Sequence, residues 1–119
     1  MTIERMLTEK RYSKISIYNG VAYFAATPDR PLDVSDSIEP QARQIFARVE
    51  ERLAQFGSSK ADLLFVTIIL SDERYLQAFN ALWDAWVSDI TPPSRACFFA
   101  KLTDPAMKVE FIMQARANR

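Results

Sequence analysis

A chain of 119 residues, 49% apolar and 25% charged, suits one globular domain that buries roughly two-thirds of its unfolded surface. Its 15 basic and 15 acidic side chains cancel and no basic tract stands out, which argues against nucleic-acid binding by phosphate neutralisation. Cys97 is the sole cysteine and histidine is absent, which excludes an intrachain disulfide, the usual zinc patterns and every Ser-His or Cys-His nucleophile.

Met1 to Arg11 is charged and has no apolar h-region, so it does not read as a signal peptide, and a cytoplasmic location is the default. A short strand is expected near Ile3 to Leu7. Ser13 to Tyr18 alternates polar and apolar residues. Asn19-Gly20 follows as a strong hairpin signal, with Val21 to Ala26 as the return strand. Pro28 and Pro31 mark Thr27 to Val34 as a loop. Ile38, Ala42, Ile45, Phe46, Val49, Leu53 and Phe56 recur at helical steps and predict an amphipathic helix. Asp36 or Ser37 is its expected cap, Pro40 falls in the tolerant first turn and Gly57 ends it.

Leu63 to Leu70 is rich in branched residues. It predicts a central strand buried on both faces and is too short to cross a bilayer, so no membrane partner is expected. Ser71-Asp72 is the expected cap of a second helix with the stripe Tyr75, Leu76, Phe79, Leu82, Trp83, Trp86 and Val87, stopped by Thr91-Pro92-Pro93. Strands at Ser94 to Leu102 and Lys108 to Arg116 follow, joined by a loop at Thr103 to Ala106. The order β-β-α-β-α-β-β predicts an α+β fold in one domain, residues 1–119, with helices on one face of a mixed sheet. No repeat, low-complexity segment or linker interrupts it.

Arg95 follows a Pro-Pro-Ser corner. Alternation puts Arg95, Cys97 and Phe99 on one face and Ala96, Phe98 and Ala100 on the other. A guanidinium set among apolar residues calls for an anion, and its fork fits a carboxylate; on pattern alone a structural ion pair or an exposed strand start is favoured. Glu110 falls opposite the apolar face Val109, Phe111, Met113 and Ala115, together with Lys108, Ile112, Gln114 and Arg116. Pattern alone makes it an exposed residue; its functional reading is a carboxylate that orients or deprotonates water. Cys97 reads either as a reactive thiol or as a small buried hydrophobe. Tyr12 reads as a phenolic donor or an edge aromatic, and Trp83/Trp86 as core or subunit interface.

The run Pro93-Ser94-Arg95-Ala96-Cys97-Phe98, followed by Lys108-Val109-Glu110-Phe111, resembles the signature of the RidA/YjgF family. Glu110 lies fifteen positions after Arg95, as in the family's enamine/imine deaminases. Tyr12 sits where the family has its cleft tyrosine, and Gln41-Ala42-Arg43 resembles the start of its first helix. Asn80 with Trp83 resembles the second helix, and the segment Asn80 to Val87 is similar to the YoaB-like branch.

The resemblance implies a chorismate-mutase-like fold, a homotrimer and ligand clefts between subunits. It implies that Arg95 binds a substrate carboxylate and Glu110 positions the attacking water. The backbone around Cys97 receives the amine or water, and Tyr12 closes the cleft from the neighbouring subunit. Two departures stand out. Ala25-Ala26 replaces the family's Ser-Gly pair, adding a methyl group at Ala26 where glycine lets backbone approach the ligand. The strand after Arg95 also reaches Leu102 one residue sooner than in the best-known deaminases, with a loop longer by one.

By this resemblance the leading expectation is hydrolytic deamination of 2-enamines and 2-imines derived from amino acids, giving 2-keto acid and ammonia with no metal or cofactor. The alternative is a non-catalytic module that binds small carboxylates and regulates a partner enzyme, needing Arg95 but not Glu110. Ribonuclease activity, an old label for some family members, fits poorly with zero net charge and no histidine.

Overall fold

In the computed structural model, which describes residues 2–119, strand β1 (Glu4–Thr8) runs antiparallel to β2 (Ser13–Tyr18) at one sheet edge. This is the short strand expected near Ile3 to Leu7, shifted by one residue. Asn19 and Gly20 hold φ of 54° and 75°, the conformation of a type I′ turn. They return the chain into β3 (Val21–Ala26), paired with β2 as Ser16 to Tyr23 and Ile15 to Phe24.

Helix α1 (Glu39–Gln55) buries Ile45, Val49 and Leu53 completely. Its N-cap position is Ile38, which offers no side-chain acceptor, whereas Ser37 Oγ accepts the Glu39 N–H at 3.1 Å. At the other end Gly57, with φ of 74°, donates to the Ala54 carbonyl, and Ser58 donates to Leu53. That pairing is a Schellman motif, and its left-handed residue favours glycine. Gln41 is fully buried yet satisfied: its amide donates to the Asp33 and Ala106 carbonyls at 2.8 Å each and accepts the Lys108 N–H at 2.7 Å. It thereby ties the Pro-rich loop to the start of the last strand.

β4 (Leu63–Leu70) is central, but not buried on both faces as expected. Val66, Ile68 and Leu70 are fully buried, whereas Leu64 and Phe65 are exposed, because both helices cover the same face of the sheet. Asp72 caps a single 3-10 turn, accepting the Arg74 N–H at 2.9 Å, before α2 (Leu76–Trp86) begins. α2 ends at Trp86, before Thr91-Pro92-Pro93 is reached, with the Val87 N–H closing on Trp83. β5 (Ser94–Phe99) stops short of Leu102, and β6 (Val109–Arg116) starts one residue after Lys108.

The sheet order is β1-β2-β3-β6-β4-β5, with only β4 and β5 parallel. α1 carries the chain from β3 to β4 and leaves a gap between them. β6 fills that gap antiparallel to both, so its inner face must be wholly apolar: Val109, Phe111, Met113 and Ala115 are all fully buried. Phe111 packs against Phe46 of α1 and against Phe79 and Trp83 of α2, with ring centroids 6.0, 5.9 and 6.1 Å away. The architecture is thus one α+β domain, a six-stranded mixed sheet backed by two helices. Among the described residues no helix is long and apolar enough to cross a membrane.

Candidate functional site

Strand register decides which side of the sheet each candidate side chain faces. Arg95 pairs with Val66, and Val66 with Met113, both in the core, so Arg95 points to the helix-covered face. Glu110 pairs with Ile69, and Ile69 with Phe98, on the opposite, open face. Arg95 lies three residues before Phe98 on an edge strand. Its backbone is therefore about 10 Å along the strands and about 10 Å across them from Glu110. Within one copy of the chain the two side chains do not meet.

On the helix face the Arg95 guanidinium lies over the Trp83 ring, 5.2 Å from its centroid, and donates to Asn80 Oδ1 at 2.7 Å. Both contacts orient the guanidinium without neutralising it. Among the described residues no carboxylate forms an ion pair with Arg95, so the structural ion pair weighed from the sequence is not what holds it. Cys97, on the same face, packs against the core. Burial pushes its thiol up, outweighing the opposite pull of the Arg95 charge, so it is held as a small hydrophobe and not as an activated thiolate.

β3 stops at Ala26, which pairs with Phe111 and so faces the helices, and no residue of β3 pairs with Glu110 on the other side of the sheet. A cavity of about 570 Å³ opens there, lined by Glu110, Tyr12 and Ala26 and walled in part by Lys14, Arg48 and Arg52. Tyr12 and Glu110 thus belong to one cavity in the same copy, while Arg95 and Cys97 lie outside it. Burial raises the Glu110 carboxyl above its ordinary value, and no neighbouring cation counters the shift. A carboxylate in that state is suited to taking a proton from water. A second cavity, about 410 Å³ and lined by Asp72, Lys101, Asp104 and Lys108 among others, contains none of Tyr12, Ala26, Arg95, Cys97 and Glu110.

The cationic wall of Lys14, Arg48 and Arg52 is not among the candidates that motif and resemblance single out. Its signal was present: Arg52 interrupts the apolar stripe between Val49 and Phe56 at a helical step, where a solvated charge has no reason to stand. Among the described residues no group of His, Cys, Asp or Glu could hold a metal ion.

The family model described as Endoribonuclease L-PSP matches residues 2–117 of this chain. A RutC family protein from Haemophilus influenzae is 38% identical over 115 residues, covering 97% of this chain and 98% of that protein. The RutC family protein YoaB of Escherichia coli is 37% identical over 110 residues, covering 92% and 94%. The crystal structure of a YjgF protein family member from Neisseria meningitidis matches at a TM-score of 0.90 and 31% identity, covering 100% of this chain and 98% of that one. With the family model matching residues 2–117 and relatives at 37% and 38% identity covering nearly its full length, the chain belongs to the Endoribonuclease L-PSP family, the YjgF/RutC proteins that its sequence resembles.

Proposed function

We propose that the protein hydrolyses reactive 2-imines and their 2-enamine tautomers derived from amino acids, in clefts between copies of the chain. The observation that carries this reading is Arg95: a guanidinium oriented by an aromatic face below it and by the Asn80 amide oxygen that takes one of its hydrogen bonds, with no carboxylate paired to it among the described residues. A 2-imino acid offers a matching carboxylate next to its C=N carbon. Because Arg95 and Glu110 face opposite sides of one sheet, a ligand that meets both takes Arg95 from one copy and Glu110 from another. The open face supports such an assembly. Its exposed Phe65, Phe98 and Ile112 form an apolar surface of the kind that partner subunits cover. A closed ring of three gives three equivalent clefts.

In the proposed cycle an enamine takes a proton at carbon from water and returns one from nitrogen, becoming the imine. Glu110 then accepts a proton from water as the water oxygen bonds to the imine carbon, and passes that proton to nitrogen. The resulting carbinolamine expels ammonia and leaves the 2-keto acid. No cofactor enters this balance, and the cell compartment consistent with it is the cytoplasm, where amino-acid enzymes release such imines. A ribonuclease reading finds less support, since 15 basic and 15 acidic side chains leave no excess of positive charge for a phosphate backbone.

The testing experiment follows ammonia release from an imine generated by an amino-acid oxidase, with wild type and Arg95→Ala side by side. Wild type is expected to exceed the spontaneous rate and Arg95→Ala to match it. A wild type that adds nothing to the spontaneous rate, yet binds 2-keto acids through Arg95, would replace this reading with the carboxylate-binding regulatory module.

A further inference from the structure

Arg52 is 6% exposed, the most deeply buried arginine of the chain. Its guanidinium stays protonated at any ordinary pH, and a charge so placed needs a partner. The hydrogen bond it makes among the described residues runs from Nη1 to Glu51 Oε1 at 3.3 Å, and the Glu51 side chain is itself 60% exposed. Such a bond to the adjacent, solvated residue is a weak match for a buried fork with five donors.

The other cations of the wall are better provided for. Arg48 pairs with Asp29, and Lys14 with Glu9 at 3.7 Å. Arg48 lies one helical turn from Arg52 and repels it. Burial and that repulsion both push the Arg52 guanidinium down, while Glu51 and Tyr12 act the other way. Glu110 lines the same cavity but is not the missing partner, since nothing cationic draws its carboxyl down. The cavity therefore has a carboxylate at one place, an under-matched buried guanidinium at another, and room for a small organic acid between them.

We propose that Arg52 is a second anion anchor, so that the cavity takes short dicarboxylates: 2-imino or 2-oxo acids with a further acid group on the side chain. The inference rests on the deaminase reading for the role of the first carboxylate, which meets Arg95 of a neighbouring copy. The side-chain carboxylate reaches Arg52, and the C=N carbon lies between the two anchors beside Glu110. Arg48 and Lys14 add attraction for the doubly charged ligand without making its hydrogen bonds.

The test measures binding of 2-oxoglutarate and 2-oxobutyrate to wild type, Arg52→Met and Arg43→Met by titration calorimetry. Wild type is expected to favour the dicarboxylate by about tenfold or more, the effect of one charge-assisted hydrogen-bonding anchor. Arg52→Met should bring the two affinities within about twofold of each other. Arg43→Met, on the same helix with a side chain 66% exposed, should keep the wild-type ratio. Arg52→Lys, which keeps the charge without the fork, should fall between wild type and Arg52→Met and serves if the methionine variant does not fold.

A wild-type ratio near one overturns the proposal, as does a ratio that survives loss of the guanidinium. So does an Arg52→Met variant whose only change is weaker self-association, which would assign Arg52 to an acidic side chain of a neighbouring copy. The two readings fail separately. A retained ratio without imine turnover leaves the dicarboxylate site and removes the deaminase, and turnover of imines with a ratio of one does the reverse.

Discussion

Arg95 rests on an aromatic ring and an amide oxygen at the edge of the sheet, whereas Glu110 points to the opposite face and lines a cavity, with burial alone acting on its carboxyl. The first environment leaves the charge intact and fixes its direction. The second makes the charge costly and its proton easier to hold. Two groups so differently housed are suited to different work: Arg95 to gripping a ligand that arrives already charged, Glu110 to gaining and losing a proton. Their placement on opposite faces adds a requirement that neither environment reveals, namely that a shared ligand draws on two copies of the chain.

The largest effect that sharpens this contrast is expected from Glu110→Gln, which keeps the side chain's size but cannot take a proton at neutral pH. Turnover should fall about 10²- to 10⁴-fold, while 2-keto acid binding through Arg95 persists. Burial raises the Glu110 carboxyl above its ordinary 4.5. The active, ionised form is then lost as pH falls through that raised value, so the acidic limb of kcat/KM should lie above 4.5 and vanish in any residual activity of the variant. The linked effect on stability has the opposite sense. A raised carboxyl stabilises the fold below its unfolded value, and that contribution is lost as pH rises through the folded one. Glu110→Gln should therefore have a Tm at pH 7 no lower than wild type. A clear fall in Tm would mean that Glu110 is a structural partner.

A smaller effect is expected from Arg95→Lys. Lysine keeps the charge but lacks the planar fork and stacks less well on Trp83. The loss of charge-assisted bonding should cost about 1.5–3 kcal/mol in 2-keto acid affinity, read by titration calorimetry. Unchanged affinity would show that the carboxylate is held elsewhere and would dissolve the contrast between the two halves of the site.

Much of this architecture could be read from the chain itself. Asn19-Gly20 announced its hairpin, the stripe from Ile38 to Phe56 announced α1, and Leu63 to Leu70 gave the bounds of β4. Those signals are local. Their errors arose where tertiary cover decides the outcome: Leu64 and Phe65 of β4 are exposed because both helices share one face, and α2 ends at Trp86 without needing its prolines.

The alternation of β5 and of β6 was also legible strand by strand. Which face of one matches which face of the other was not, because the two strands never pair and β4 lies between them. That is why the resemblance could assign Arg95 and Glu110 to one cleft without showing that they face opposite sides of the sheet within one copy. Arg52 was concealed differently. An arginine at a stripe position looks like an imperfection in a helix pattern until the cavity beside it is seen.

The most direct test of a cleft shared between copies is to mix two inactive variants, Arg95→Ala and Glu110→Gln, by co-expression or refolding, and to measure imine hydrolysis. If each cleft takes Arg95 from one copy and Glu110 from the next, some clefts in mixed oligomers are intact, about a quarter of them for equal random mixing in a closed ring. Activity should then rise from the level of the separate variants to about a quarter of wild type. If the mixture stays as inactive as the variants alone while wild type is active, Arg95 and Glu110 act within one copy, and the shared cleft is contradicted.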